Sequence, residues 1–538
     1  MSGFCAMNPK QVFVREATGI VRAISPWNAF VTTVSVTAIG TGVGTMFVFV
    51  PYLWPGANQA LSLILILPFM LIHSVMLAML GWSMPRSGGD YVWTSRILHP
   101  ALGFSTNFTW LVYGAVIMGS FGTYICSYAV NSTLISIGIT TGNFGLVDWS
   151  QAVFTNPAYV TVVGTLFFAY VAVILIVGVS FYLKNQIVFW IIGMIGTILA
   201  IALFLGATPS QFALAFDRTM GHYTTYQNVI DSAKSAGFNW APSIWATLGA
   251  MAFAWTINSG YQFTMYFSGE IKRPQASMLA GGIGNNIFCT FFYGLFAWAF
   301  VRAVGDDFLH SLTYLAYGQP SAFKIPVIPN PYFLASLLTD NIVLAVLVNI
   351  GLLVWGPIIM GSVWLSQSRS LMAMAFDRVL PTSLADVSDR YHTPVKSILL
   401  IAILTWIAMI GSLYYGIIFA NLNYTLCVTI VLAIGGITGA VFPFVRKSQY
   451  EMSPIARYKI GGIPLVTITG VVTFFFFIYL TYAAGLNPAV GGPTNPYALT
   501  TLALSFVAAA ALYYVSRAYR KAREGIDIQL NFTEIPPE

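Results

Sequence analysis

The chain has 538 residues, of which 57% are apolar and only 8% charged, with a formal net charge of +7 and a mean hydropathy of +0.76. Soluble domains carry about 25% charged residues, so this composition excludes a soluble fold, and its apolar content excludes a disordered chain. Long unbroken apolar runs also exclude an outer-membrane barrel, whose strands alternate polar and apolar positions. What remains is an all-α integral membrane protein. Its basic balance needs no nucleic acid, because Lys and Arg gather on the cytoplasmic side of such proteins.

Residues 1–27 hold Lys10, Arg15, Glu16 and Arg22 and lack an apolar core, which argues against a cleaved signal peptide. Runs of about 20 apolar residues cross a bilayer. Twelve such spans are predicted: 28–54, 60–82, 101–137, 158–178, 187–206, 243–267, 278–304, 334–364, 395–414, 422–445, 464–484 and 498–516. They make one transporter-sized domain over 28–516, followed by a cytoplasmic tail, 517–538, whose end after Arg523 reads as disordered. With the N-terminus inside, 20 of the 24 Lys and Arg residues fall on cytoplasmic segments and four, Arg218, Lys234, Arg302 and Lys324, fall outside. Both termini are therefore expected in the cytoplasm, and the two long external segments are 207–242 and 305–333. Cys5, Cys126, Cys289 and Cys427 have no paired spacing and read as plain thiols.

Span 1 is interrupted by Gly40-Thr41-Gly42-Val43-Gly44-Thr45. Glycine weakens a helix by about 1 kcal/mol relative to alanine. The bland explanation is a small-residue helix interface, since Gly40 and Gly44 stand four apart. Span 6 alters that balance. Trp255-Thr256-Ile257-Asn258-Ser259-Gly260-Tyr261 places polar and small residues at the same depth. Two spans broken in corresponding positions point to a transporter of inverted repeats, with its site at the breaks. No Lys, Arg, Asp or Glu is evident in mid-span, so a zwitterion would be held by backbone. A helix N-terminus, worth roughly half a positive charge, takes a carboxylate without any arginine.

Several loops carry recognisable elements. Met84-Pro85-Arg86-Ser87-Gly88-Gly89-Asp90-Tyr91-Val92-Trp93, with Arg96 and Gly103-Phe104, follows span 2; Gly269-Glu270-Ile271-Lys272-Arg273-Pro274 follows span 6. Ser368-Arg369-Ser370-Leu371-Met372-Ala373-Met374-Ala375-Phe376-Asp377-Arg378-Val379-Leu380-Pro381 follows span 8, with Thr393-Pro394-Val395 beyond it. Together with Ile39-Gly40-Thr41-Gly42-Val43, these elements resemble, in order and separation, those of the amino acid–polyamine–organocation (APC) transporters. Arg273 replaces the family's asparagine in the second element.

The resemblance implies a leucine-transporter-type fold, two inverted five-helix repeats plus two extra helices with spans 1 and 6 broken, working by alternating access. It implies a substrate site at Ala38, Ile39, Gly40, Thr41, Gly42, Val43 and Gly44 of span 1 and Trp255, Thr256, Ile257, Asn258, Ser259 and Gly260 of span 6. Backbone N–H groups near Thr41, Gly42 and Val43 would take a carboxylate, and carbonyls near Ala38, Thr256 and Ser259 an ammonium. Trp110 would line the inner vestibule, Trp255 would cap the substrate, and Asp90 and Glu270 would lock the inner gate. The partners are a small amino acid, expected to be neutral, and the lipid bilayer of the cell membrane, with no cofactor and no metal. A polyamine or organic cation is the alternative cargo. Some relatives place a lysine in span 5 where others bind sodium with span 8 hydroxyls. Span 5 as delimited here has no ionisable group, and Ser362 is the first span 8 hydroxyl after Trp355-Gly356-Pro357-Ile358. A proton, or no coupling ion, is favoured over sodium.

Single residues weigh less. His73 reads as a structural hydrogen bond rather than a proton relay, and Asn285, Asn286 and Asn349 as helix–helix glue. Of the sequons at Asn107, Asn131, Asn423 and Asn531, only Asn131 is placed within reach of the outside. A membrane-embedded protease is disfavoured, because no His-Glu-x-x-His helix and no mid-span aspartate pair is evident. A passive channel would leave the loop elements as accidents.

Overall fold

The computed structural model describes residues 24–416, 423–487 and 496–533; Cys5 and the first basic residues lie outside them. The described part of the chain starts with α1 (Pro26–Thr37) and α2 (Ile39–Leu53), then α3 (Gln59–Ser83) and a short helix α4 (Asp90–Ile97). α5 (Pro100–Tyr124) passes through a π-helical turn, Ile125–Val130, into α6 (Asn131–Thr141). α7 (Phe144–Phe154), α8 (Pro157–Val177) and α9 (Val179–Leu205) follow. The segment 207–242 contains α10 (Pro209–Met220) and α11 (Tyr226–Ser235).

α12 (Ile244–Ile257) runs into 3-10 turns at Ser259–Met265 and Ser268–Glu270. α13 (Pro274–Leu279) joins α14 (Asn285–Val304) through a second π turn, Ala280–Gly284. α15 (Asp306–Gly318) and α16 (Pro331–Ser336) precede α17 (Ile342–Leu353) and α18 (Trp355–Phe376). The rest is α19 (Val395–Tyr414), α20 (Tyr424–Val445), α21 (Lys447–Met452), a two-residue β-hairpin at 459–464, α22 (Leu465–Gly485) and α23 (Pro496–Glu524).

Eleven helical segments among the described residues are long and apolar enough to cross a membrane, and Ile244–Ile257 is a shorter apolar helix of 14 residues. Burial orders them. In the apolar window of Pro26–Leu53, 89% is buried, against 22% for Tyr497–Glu524, so the first segment is central and the last peripheral. Four of the expected spans shift their boundaries. The fifth span starts at Val179, the eighth runs 342–376, and the twelfth continues to Glu524. The seventh is entered earlier, at Pro274.

The asparagines behave as expected of interhelical glue. Asn285 Nδ2 bonds Thr37 Oγ1 at 3.1 Å, Asn286 Nδ2 donates to Ser74 Oγ at 2.9 Å, and Ser132 Oγ donates to Asn349 Oδ1 at 3.4 Å. Asn131 is buried and accepts from Ser150 Oγ at 2.6 Å, so it is no surface acceptor for a glycan. Cys126, Cys289 and Cys427 are free and buried.

The chain end departs from the sequence reading. After Gly525, which takes a left-handed φ of 69°, the chain turns back and forms a 3-10 helix, Ile528–Phe532. Ile528 and Phe532 are buried at 0% and 2% exposure, so this part of the tail is packed rather than disordered.

Candidate functional site

The first break falls at Ala38, not within the glycines. Its φ of 46° and ψ of 69° are left-handed, a conformation that costs a non-glycine residue about 1–2 kcal/mol. The Ala38 N–H still closes α1 on the Val34 carbonyl at 2.8 Å, and its carbonyl starts α2 by accepting from Gly42 N–H at 2.9 Å. Ile39, Gly40 and Thr41 form the first turn of α2, where N–H groups have no acceptor within their own helix. Gly42 N–H is occupied by the Ala38 carbonyl, and Val43 lies one residue deeper in α2.

The glycines have another role: each is covered by an aromatic side chain. A Cβ on Gly40 would overlap the Trp355 ring, on Gly42 the Tyr293 hydroxyl, and on Gly44 the Tyr124 hydroxyl. Packing and break are neighbours in this sequence, and composition alone merges them.

The second break follows Ile257, where Asn258 (φ −98°, ψ 6°) leaves the α-helix. The 3-10 turn beyond it lies directly against α1. A Cβ on Gly260 would strike the Thr33 carbonyl and the Thr37 hydroxyl, so only glycine lets the two backbones meet. Tyr293 of α14 joins the breaks, since its hydroxyl lies 3.0 Å from the Thr37 carbonyl and 3.3 Å from the Ile257 carbonyl. Asn258 Nδ2 donates to Thr290 Oγ1 on the same helix at 3.1 Å. Ser259 Oγ donates to the Thr256 carbonyl at 2.8 Å, and Thr256 Oγ1 meets Thr425 Oγ1 of α20 at 3.0 Å.

Trp255 is turned toward α3 and α22. Its indole N–H donates to Tyr261 Oη at 3.2 Å, its ring meets Phe477 edge-on, and His73 Nδ1 lies 2.7 Å from the same Tyr261 oxygen. His73 thus has the structural hydrogen bond expected of it. The aromatic of α12 that faces α2 is Phe253, 6.4 Å from Phe49. Above it, Phe49 stacks on Tyr317 of α15 at 4.8 Å, and Tyr317 Oη meets Tyr128 Oη of the π turn at 2.8 Å. π turns recur at functional positions in helices, and this one brings Tyr124 to within 3.4 Å of the Thr41 carbonyl.

Beyond the second break, Trp110 stacks flat on Tyr266 at 4.5 Å. Glu270 is held by Arg369 through Nε at 2.7 Å and Nη2 at 3.3 Å, both residues 1% exposed. Asp90 accepts from Asn107 Nδ2 at 2.8 Å. Burial raises its carboxyl from 3.8 to about 6, against the opposing hydrogen bonds of Tyr266 and Asn107. Ile24 N–H donates to the Glu270 carbonyl at 3.0 Å and Lys272 N–H to the Ile24 carbonyl at 2.9 Å, which ties the start of α1 to the end of the second break.

A second buried cluster joins α1, α9 and α18. Gln186 Oε1 accepts from Thr32 Oγ1 at 3.0 Å, while its Nε2 donates to Tyr182 Oη at 2.7 Å and Ser362 Oγ at 2.8 Å. Sequence reading missed Gln186 because it started the span at 187, eight residues after Val179. Tyr293 carried no signal at all, being one aromatic among many in an apolar span. Among the described residues, no three His, Cys, Asp or Glu side chains cluster to hold a metal ion.

The arrangement brings the start of one helix together with the carbonyl ends of two others, between an aromatic cluster and a buried ion pair. A search of curated protein sequences gives no match. Residues 24–506 match the amino acid permease family, and the chain, a multi-span all-α membrane protein, belongs to that family of the APC superfamily.

Proposed function

We propose that the protein carries neutral amino acids across the cell membrane by alternating access, with twelve spans and both termini cytoplasmic. The observation that carries this reading is the meeting of the two breaks at Tyr293, beside the first turn of α2 at Ile39, Gly40 and Thr41. A carboxylate suits that turn, because a helix N-terminus offers both hydrogen bonds and a positive field. The Thr37 and Ile257 carbonyls suit an ammonium, which has three protons where the Tyr293 hydroxyl has one. Ala38, Thr41, Thr256, Ile257, Asn258 and Ser259 bring no charge for the rest of the substrate. A second ammonium buried there would need an opposing carboxylate.

Glu270 with Arg369 forms the inner barrier in this reading, and Phe49, Tyr128 and Tyr317 form the outer one. Sodium coupling is not part of it. The neutral amide of Gln186 fills the junction of α1, α9 and α18 and takes up the Ser362 hydroxyl. The test is uptake of a labelled panel by the purified protein in proteoliposomes. Saturable uptake of neutral amino acids is expected; strong uptake of putrescine or arginine with none of the neutral ones would transfer the protein to the cationic class.

A further inference from the structure

The folded end of the tail covers a buried ion pair. Arg96 of α4 grips Asp377, just past α18, with Nη2 at 2.9 and 2.8 Å from the two carboxylate oxygens, and both side chains are 2% exposed. Tyr91 Oη adds a third bond to Asp377 at 2.9 Å. Phe532 lies over this pair, its ring 5.0 Å from the Arg96 guanidinium and edge-on to Tyr91 and Tyr513. Asn531 Nδ2 donates to the Asp377 carbonyl at 3.1 Å.

The turn that brings these residues back is clasped by Arg517, which bonds both Asp527 carboxylate oxygens at 2.8 Å. Arg517 holds the Asp527 carboxyl below its ordinary range, so the clasp stays charged at neutral pH. Arg378 bonds Glu524 at 3.0 Å, and Ser516 Oγ donates to the Val379 carbonyl at 2.7 Å.

The other end of the same loop holds the second break. Gly88 N–H donates to the Tyr266 carbonyl at 3.0 Å, and Ser268 Oγ donates to the Arg86 carbonyl at 2.6 Å. The cytoplasmic half of that segment cannot swing outward without parting from residues 86–90. The Arg96–Asp377 pair anchors the far end of α4 to the end of α18, and the tail shields that pair from water. A charge pair is screened far less when buried than when solvated.

We propose that residues 525–533 are an autoinhibitory latch, which when docked anchors α4 and keeps the cytoplasmic side closed, and when released lets it open. The latch rests on the reading of the breaks as the transport site, but its mechanical part does not depend on the substrate. The test uses the full chain in lipid nanodiscs and proteoliposomes, comparing the parent with Phe532→Ala and the milder Asp527→Asn. Hydrogen exchange of residues 86–97 and 263–271 is expected to rise by about five-fold or more, the lower end of measured coupling between sites. Initial uptake should rise with it, and a synthetic peptide of residues 524–538 should reverse both. Faster exchange with no uptake of any amino acid in parent or variant would keep the latch and remove the substrate reading. Unchanged exchange in both variants would overturn the latch. So would a uniform rise in exchange over the whole chain, because the tail would then be a general brace.

Discussion

The Tyr293 hydroxyl donates to the Thr37 carbonyl at 3.0 Å, placing a neutral side chain of α14 where α1 stops. One proton serves this carbonyl and that of Ile257, 3.3 Å away, so the two acceptors share it. Tyr293→Phe removes the proton and leaves two buried carbonyls, at a cost of about 1–3 kcal/mol. The variant should insert and fold with reduced thermal stability. If the hydroxyl only ties the helices together, substrate will restore none of that loss. If the ammonium takes its place, saturating neutral amino acid will restore stability in Tyr293→Phe more than in the parent, and thermal shift with and without substrate reads the difference.

Gly42 is expected to tolerate no side chain, and its packing identifies the reason. A Cβ there overlaps the Tyr293 hydroxyl, so Gly42→Ala and Gly42→Val should both abolish transport while expression persists. The double variant Gly42→Ala/Tyr293→Ala gives the methyl room and should recover binding in part. Recovery assigns the glycine to packing against Tyr293; no recovery assigns it to direct approach of the substrate.

The fold was legible because membrane spans announce themselves through apolar length, and the second break because Asn258, Ser259 and Gly260 are polar or small in an apolar run. The first break was displaced because Ala38 has no sequence signature of a left-handed conformation, while the nearby glycines do. Those glycines record three aromatic contacts, which only tertiary structure reveals. Gln186 and Ser362 lie 176 positions apart in sequence, and nothing local to either marks the other. The packed tail was missed for a related reason. Ile528 and Phe532 are two apolar residues in a polar segment, too few to predict burial without the surface that receives them.

Gln186 gives the ion question a direct measurement. Its amide already serves Thr32, Tyr182 and Ser362, so replacing sodium with choline should leave uptake unchanged. Ser362→Ala should lower stability by about 0.5–1.5 kcal/mol, the worth of a hydrogen bond, without creating or removing sodium dependence. Accumulation driven by a sodium gradient and abolished by Ser362→Ala would place the coupling ion in this cluster instead.

Glu270 and Arg369 form a buried pair, and removing one partner of such a pair costs about 3–5 kcal/mol because the other charge is stranded. Arg369→Ala should therefore penalise the closed cytoplasmic side and expose residues 263–271 to water-soluble labels from that face. Glu270→Gln combined with Arg369→Gln strands no charge, so its labelling should fall between the parent and the single variant. Equal labelling in all three would show that the pair does not hold the gate.

Asp90 sets the expected pH dependence. In the closed arrangement burial raises its carboxyl from 3.8 to about 6. Opening the cytoplasmic side would hydrate it and return it toward the ordinary carboxylate value, so the closed state binds the proton more tightly. The sign follows from linkage: the closed state is favoured most below about pH 4, loses ground as pH rises toward about 6, and changes no further above that. Lowering cytoplasmic pH from 7 to 5 should slow transport by holding the inner side shut. Asp90→Asn mimics the protonated group, so it should be slow at every pH and flat across this window. Uptake rates in proteoliposomes of known orientation, with only the cytoplasmic-side pH varied, decide the matter. A profile in Asp90→Asn that still falls below pH 6 would assign the proton to another group.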